Sequence, residues 1–178
     1  MSPDAPEGST TLGWPEQLHA ALQRAGVGHV CYVPDAGHTA LIDLCIGDDD
    51  IRTTVLTSEE EGVAVAAGAW LGGTRAALLM QSSGVGNCIN MLSLPIVARM
   101  PLLLLVTMRG EWAEFNPWQN PMGRATQRTL EAIGVTVFHA DTHDDVVATV
   151  QQATTMAYDA DQQIAVLIGQ RLIGAKQW

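Results

Sequence analysis

The sequence predicts an α/β domain built on a doubly wound, mostly parallel six-stranded sheet with helices on both faces. Three observations carry that prediction. Six short apolar runs alternate with segments of helical period, and no two-residue hairpin signal joins any pair of them. The run Leu-Leu-Leu-Leu-Val at 102–106 has no polar alternation, as expected of a strand covered on both sides. The chain has 178 residues, a length that suits one domain with a full core.

In chain order, residues 1–12 read as a flexible tail and 13–178 as the single domain. Pro15, Leu18, Ala21, Leu22 and Ala25 mark an amphipathic helix closed by Gly26. The apolar run 29–33 is a strand that stops at Pro34-Asp35, and a helix is expected over 38–46. Gly47-Asp48-Asp49-Asp50 is an exposed turn before the strand at 51–56. The segment 58–73 reads as a helix with Ser58 as N-cap and Glu59, Glu60 and Glu61 in its first turn, where carboxylates suit the positive end of the dipole. No charge follows until Arg75, and apolar side chains cover all sides, so burial is expected. Gly62 and Gly68 would let a backbone or ligand come close. A strand at 75–81, a loop at 82–87 and a helix over 90–99 come next. Then come a strand at 101–107, a long loop at 108–124, a helix at 126–133 and a strand at 135–139. A long helix over 142–158, capped by Thr142, precedes the last strand at 164–169.

Charge and composition narrow the function. Nine Lys+Arg against 19 Asp+Glu leave a net charge of −10, which argues against nucleic acid and anionic membranes. The apolar runs are too short to cross a bilayer, and the first residues lack the basic and apolar regions of a signal peptide. Cys31, Cys45 and Cys88 have neither metal-like nor disulfide-framework spacing, so reduced thiols and a cytoplasmic setting are expected.

In a parallel sheet, ligands gather outside the carboxyl ends of the strands. Four segments should meet there: 34–38, 57–61, 82–87 and 108–124. In the second, a carboxylate held in an apolar place would have a raised pKa; three water-facing Glu on a capped core helix are the plainer reading of the pattern. In the third, Ser-Gly-Val-Gly-Asn turns the backbone and could offer N–H groups to an anion, although a structural tight turn is the plainer reading. It fits neither the dinucleotide nor the P-loop spacing. In the fourth, Arg109 is either a planar fork for an anionic substrate or the partner of Glu111 or Glu114. Asp35 and His38 share a turn in which the imidazole could move a proton near neutrality.

Four of these stretches, in this order, resemble thiamine-diphosphate-dependent decarboxylases, within them the sulfopyruvate and phosphonopyruvate enzymes. They are Val33-Pro34-Asp35, Glu59-Glu60-Glu61-Gly62-Val63 with its apolar continuation, Met80 to Asn90, and Pro101 to Glu111. Pro121-Met122-Gly123-Arg124 also fits, and the similarity runs over most of 14–170. The resemblance implies the pyrimidine-binding domain, which in this family can be a separate alpha subunit. It also implies a buried Glu that hydrogen-bonds the aminopyrimidine of the cofactor. Counting back nine residues from Gly68 selects Glu59; aligning on the nearer glycine selects Glu60. Helical phase favours Glu59, which shares a face with Val63, Ala66, Ala67 and Trp70. By the same resemblance Asp35 reaches the active site, with His38 beside it at a position that departs from the Ser-Leu-Leu of many relatives. Ser83, Gly84 and Asn87 lie near the pyrimidine and the substrate, and Arg109 and Gln119 lie near a substrate anion.

The family holds the diphosphate through magnesium on Gly-Asp-Gly followed by a distant Asn, a donor set for a hard octahedral ion. Gly47-Asp48-Asp49-Asp50 lacks the second glycine, so the resemblance puts Mg2+ on a beta subunit and makes this chain half of a hetero-oligomeric site. The expected activity is decarboxylation of sulfopyruvate or phosphonopyruvate to the aldehyde and CO2. A split lyase or carboligase with another acyl donor, and a non-catalytic α/β regulatory subunit, are the alternatives.

Overall fold

Six strands, all paired in parallel, lie side by side in the order β2-β1-β3-β4-β6-β5. A computed structural model describes residues 13–174, so the tail expected at 1–12 lies outside the described residues. The strands are β1 (Val27–Tyr32), β2 (Arg52–Val55), β3 (Arg75–Gln81), β4 (Leu102–Thr107), β5 (Thr136–Ala140) and β6 (Gln163–Ile168). Between and around them run α1 (Trp14–Arg24), α2 (Thr39–Ile46), α3 (Glu59–Leu71), α4 (Ser82–Cys88), α5 (Ser93–Ala98), α6 (Gln119–Ile133), α7 (His143–Asp159) and α8 (Gln170–Ile173).

The period-2 geometry of a strand splits the core into two layers. Leu103 and Leu105 of β4 join Leu18 and Leu22 of α1, Leu41 of α2 and Val150 of α7 on one face. Leu104 and Val106 join Val63 of α3, Val85 and Cys88 of α4 and Leu130 of α6 on the other. Right-handed crossovers explain which helix takes which face. Steps toward β5 carry α3, α4 and α6 over one side, and the two backward steps, into β2 and into β6, carry α2 and α7 over the other.

Two places along the sheet are therefore switch points, where neighbouring strands send their following segments to opposite faces. At β1/β3, α2 leaves for one face and α4 for the other. At β4/β6, α6 leaves for one face, and Leu172 and Ile173 of α8 pack on the other.

Five expectations need correction. Residues 82–87 form most of helix α4 rather than a loop, and the long loop ends at Trp118 because α6 begins at Gln119. Pro121 sits in the first turn of α6, where its missing N–H has no partner to lose. Helix α3 is buried along one side only: Gly62, Val63, Ala66 and Ala67 face the sheet, while Leu71 is 74% exposed and Gly68 has open space beside it. Only Gly62 makes the close approach expected of the two glycines, because a Cβ there would strike Leu78 and Leu56. Ser58 occupies the N-cap position without capping, since its hydroxyl donates to Glu60 Oε2 at 2.6 Å. Thr142 does cap α7, accepting from the Asp145 N–H.

Candidate active site at the sheet switch point

The β1/β3 switch point brings Asp35, Glu59, Gln81 and Ser83 around one recess, with Val33 and Pro34 completing its wall. Asp35 stands where Pro34 has ended the strand pairing of β1. Its carboxylate is held from two sides: Gln81 Nε2 donates to Oδ1 at 3.0 Å and Thr107 Oγ1 donates to Oδ2 at 2.5 Å. Ser83 extends the chain by donating to Gln81 Oε1 at 2.8 Å. Gln81 and Thr107 were not singled out in the sequence. Their signal is positional, because each is the polar residue that closes an apolar strand.

Of the three acids on α3, only Glu59 turns inward, with 9% of its surface exposed. Glu60 and Glu61 are exposed and make local bonds, Glu60 with the Ser58 hydroxyl and Glu61 with the Thr57 N–H. Glu59 Oε2 accepts one hydrogen bond, from Asn87 Nδ2 at 2.8 Å, and Oε1 has no partner among the described residues. The carboxylate lies so close to α4 that a Cβ on Gly84 would collide with its Oε1, Cδ and Cγ. Gly84 is therefore the space in which Glu59 lies. The carboxyl is nearly dry, lines the recess, and has no cationic partner among the described residues. Such a donor set fits a neutral heteroaromatic ring that shares a proton with the acid.

His38 is not in this recess. Its ring is fully buried beneath Asp35, with Nε2 3.1 Å from the Leu105 carbonyl, and burial lowers its pKa despite the nearby Asp35 charge. Its Nδ1 is buried without a partner. Cys88 lies under the same helix pair; burial and the charges of Glu59 and Glu60 push its thiol up to about 12.

A second recess shares the Asp35 wall and extends over Gly37, Thr107, Arg109, Phe115 and Gln170. Here Arg109 is paired with Glu114, which settles the choice between Glu111 and Glu114 as its ionic partner. Nε lies 2.7 Å and Nη2 2.6 Å from the two carboxylate oxygens. The Arg109 N–H donates to Ser82 Oγ, tying the loop back to α4. Gln119 opens helix α6, and its Oε1 is buried without a partner. The segment that follows packs backbone to backbone, since a Cβ on Gly123 would overlap the Arg109 carbonyl.

Residues 15–130 match the family model described as "Thiamine pyrophosphate enzyme, N-terminal TPP binding domain". The chain belongs to that family. Among curated relatives it is 35% identical over 154 residues to the sulfopyruvate decarboxylase subunit alpha of Methanococcus maripaludis, covering 86% of this chain and 92% of that one. It is 32% identical over 151 residues to the same subunit of Methanocaldococcus jannaschii, covering 84% and 89%. The phosphonopyruvate decarboxylase of Streptomyces viridochromogenes is 42% identical over 116 residues, 64% of this chain and 29% of that protein. Among solved structures, the 2-oxoglutarate:ferredoxin oxidoreductase of Magnetococcus marinus superposes with a TM-score of 0.78 at 14% identity, over 97% of this chain and 31% of that one. A thiamin diphosphate-dependent enzyme from Mycobacterium smegmatis gives 0.72 at 19% identity, over 93% and 32%. Both solved structures thus carry this fold as one part of a longer chain.

Proposed function

We propose that this chain is the alpha, pyrimidine-binding subunit of a thiamine-diphosphate-dependent decarboxylase acting on sulfopyruvate or phosphonopyruvate. One observation supports it above the others: Glu59 is buried across Gly84 at the wall of the switch-point recess, with Asn87 the one donor to its carboxylate among the described residues. When bound, thiamine diphosphate supplies a carbon nucleophile and an electron sink for the loss of CO2 from a 2-oxoacid. Glu59 would hold the aminopyrimidine ring through its carboxyl group, and its dry surroundings would favour sharing a proton there over losing it to water. Asn87 holds the other oxygen, and Ser83 and Gly84 line the approach. Asp35, steadied by Gln81 and Thr107, lines both recesses and would face the reacting centre, and Arg109 would meet the anionic end of the substrate; Gln119 lines neither recess.

A partner subunit carrying the diphosphate- and Mg2+-binding domain completes the site in this reading. Several large apolar side chains are open to receive it. Trp118 and Val97 are each 82% exposed, and Phe115 and Leu71 are also exposed. No helix among the described residues is long and apolar enough to cross a membrane, and Cys31, Cys45 and Cys88 are free and buried. We place the complex in the cytoplasm.

Co-expression with the candidate beta subunit, followed by assay of CO2 release from sulfopyruvate, phosphonopyruvate and pyruvate, tests the proposal. Release from one of the two anionic substrates, dependent on both chains, is expected. Release only from another acyl donor would make the chain part of a different lyase or carboligase. Cofactor-independent association without turnover would make it regulatory.

A further inference from the structure

We propose that Gln170 and Glu114 are positioning residues that hold Arg109 at the rim of the second recess as a fixed receptor for the anionic tail of the substrate. The inference rests on the reading, given above, that Arg109 meets that anion. Neither positioning residue touches the reacting carbon in this account.

The observation behind it is the saturation of one carboxylate. Glu114, with 4% of its side chain exposed, accepts from five donors: Arg109 Nε and Nη2, the N–H groups of Gly110 and Asn116, and Gln170 Nε2. Together they hold its pKa down to about 2, with the Arg109 bond the largest contribution, so it is charged at neutral pH. Gln170 is almost as fully engaged. It is 4% exposed, its Oε1 accepts from the N–H groups of Glu111 and Trp112 at 3.0 Å each, and its own N–H donates to Glu111 Oε2 at 3.1 Å. One side chain at the end of β6 thus fastens the loop that follows β4, across the β4/β6 switch point.

The chemistry of the fork gives the clasp its purpose. With the Nε hydrogen and one Nη2 hydrogen committed to Glu114, the Nη1 hydrogens and the second Nη2 hydrogen remain for a ligand, and their directions are set by a planar group that cannot swivel. The Phe115 ring, 5.8 Å from the guanidinium carbon, flanks the fork. Because Glu114 cancels most of the Arg109 charge, the recess selects its ligand by directed hydrogen bonds more than by net attraction. A tetrahedral sulfonate or phosphonate presents oxygens in several directions and can meet a fixed N–H; a methyl tail offers none. The clasp is therefore a specificity device.

The test uses the assembled alpha–beta complex and compares sulfopyruvate or phosphonopyruvate, whichever is turned over, with pyruvate. Gln170→Met keeps the volume and removes every side-chain hydrogen bond. It should cut the kcat/KM preference for the anionic substrate by about tenfold, the worth of one hydrogen bond to a charged group, with the loss in KM rather than kcat. Gln170→Asn, which restores an amide one methylene short, should recover part of the preference. Amide exchange at Gly110, Glu111, Trp112 and Asn116 should quicken in Gln170→Met without substrate. An unchanged KM in Arg109→Lys would remove the reading on which the inference rests. A raised KM in Arg109→Lys with unchanged preference in both Gln170 variants would overturn the clasp alone. Equal losses on both substrates, or a fall in kcat with KM constant, would overturn it as well by making Gln170 merely structural.

Discussion

Glu59 and Glu114 are both nearly buried carboxylates at the mouth of one sheet, yet their surroundings are opposite. Glu114 has a guanidinium fork, two backbone N–H groups and an amide, and nothing on it is left for a ligand. Glu59 has one neutral amide and an unpartnered oxygen. The first arrangement stabilises the ionised form and makes a fastener; the second leaves an acid free to share a proton. Burial alone does not mark a catalytic carboxyl. What sets Glu59 apart is incomplete satisfaction at the wall of a recess.

The sharpest way to break this contrast is to neutralise the two acids separately. Glu59→Gln should lower CO2 release by roughly 10²–10⁴-fold, the usual worth of a positioned acid–base group, with assembly retained by size-exclusion chromatography. Glu60→Gln should leave turnover intact, because that side chain faces solvent. Full activity in Glu59→Gln would move the role to Glu60 and dissolve the distinction.

Loosening the cradle should have a smaller effect. Asn87→Ala removes the single donor to Glu59 and should cost roughly 10–100-fold in kcat, the range for one hydrogen bond to a charged group. Gly84→Ala pushes a methyl group into the carboxylate and should cost about 10²-fold through misplacement. A steady-state assay on the complex reads both, and circular dichroism checks that helix α4 survives.

The smallest effect belongs to stability. Glu114 has its pKa lowered from 4.5 to about 2, so the folded state holds fewer protons there than the unfolded chain. Its contribution is complete above pH 4.5 and is lost as the pH falls toward 2. Glu114→Gln should therefore melt below the wild-type chain at neutral pH, with the gap narrowing through that acid window in thermal denaturation.

Much of the fold was legible because strands covered on both sides announce themselves as unbroken apolar runs. The β3 range 75–81 coincides with its sequence reading, and the Leu-rich β4 differs by one residue. What stayed hidden depended on contacts between distant segments. The Ser-Gly-Val-Gly-Asn stretch looked like a loop because glycine disfavours helix. It is helical, and the glycine at 84 leaves the room in which Glu59, 25 residues earlier in the chain, lies. His38 adjoins Asp35 in sequence, but the turn into α2 sends its ring inward to the Leu105 carbonyl, a rotation no spacing rule reveals. The apolar outer face of α3 read as buried because hydrophobicity reports what a surface avoids and not whether its cover belongs to the same chain. Gln170 was invisible for a simpler reason: it follows the last strand on a four-residue helix with no sequence signature.

The most direct measurement is the rate at which the thiazolium C2 proton of thiamine diphosphate exchanges for deuterium in the assembled complex, followed by proton NMR. The account predicts that Glu59→Gln slows this exchange by roughly 10²-fold or more while the cofactor stays bound. Exchange as fast in Glu59→Gln as in the unaltered complex would contradict it.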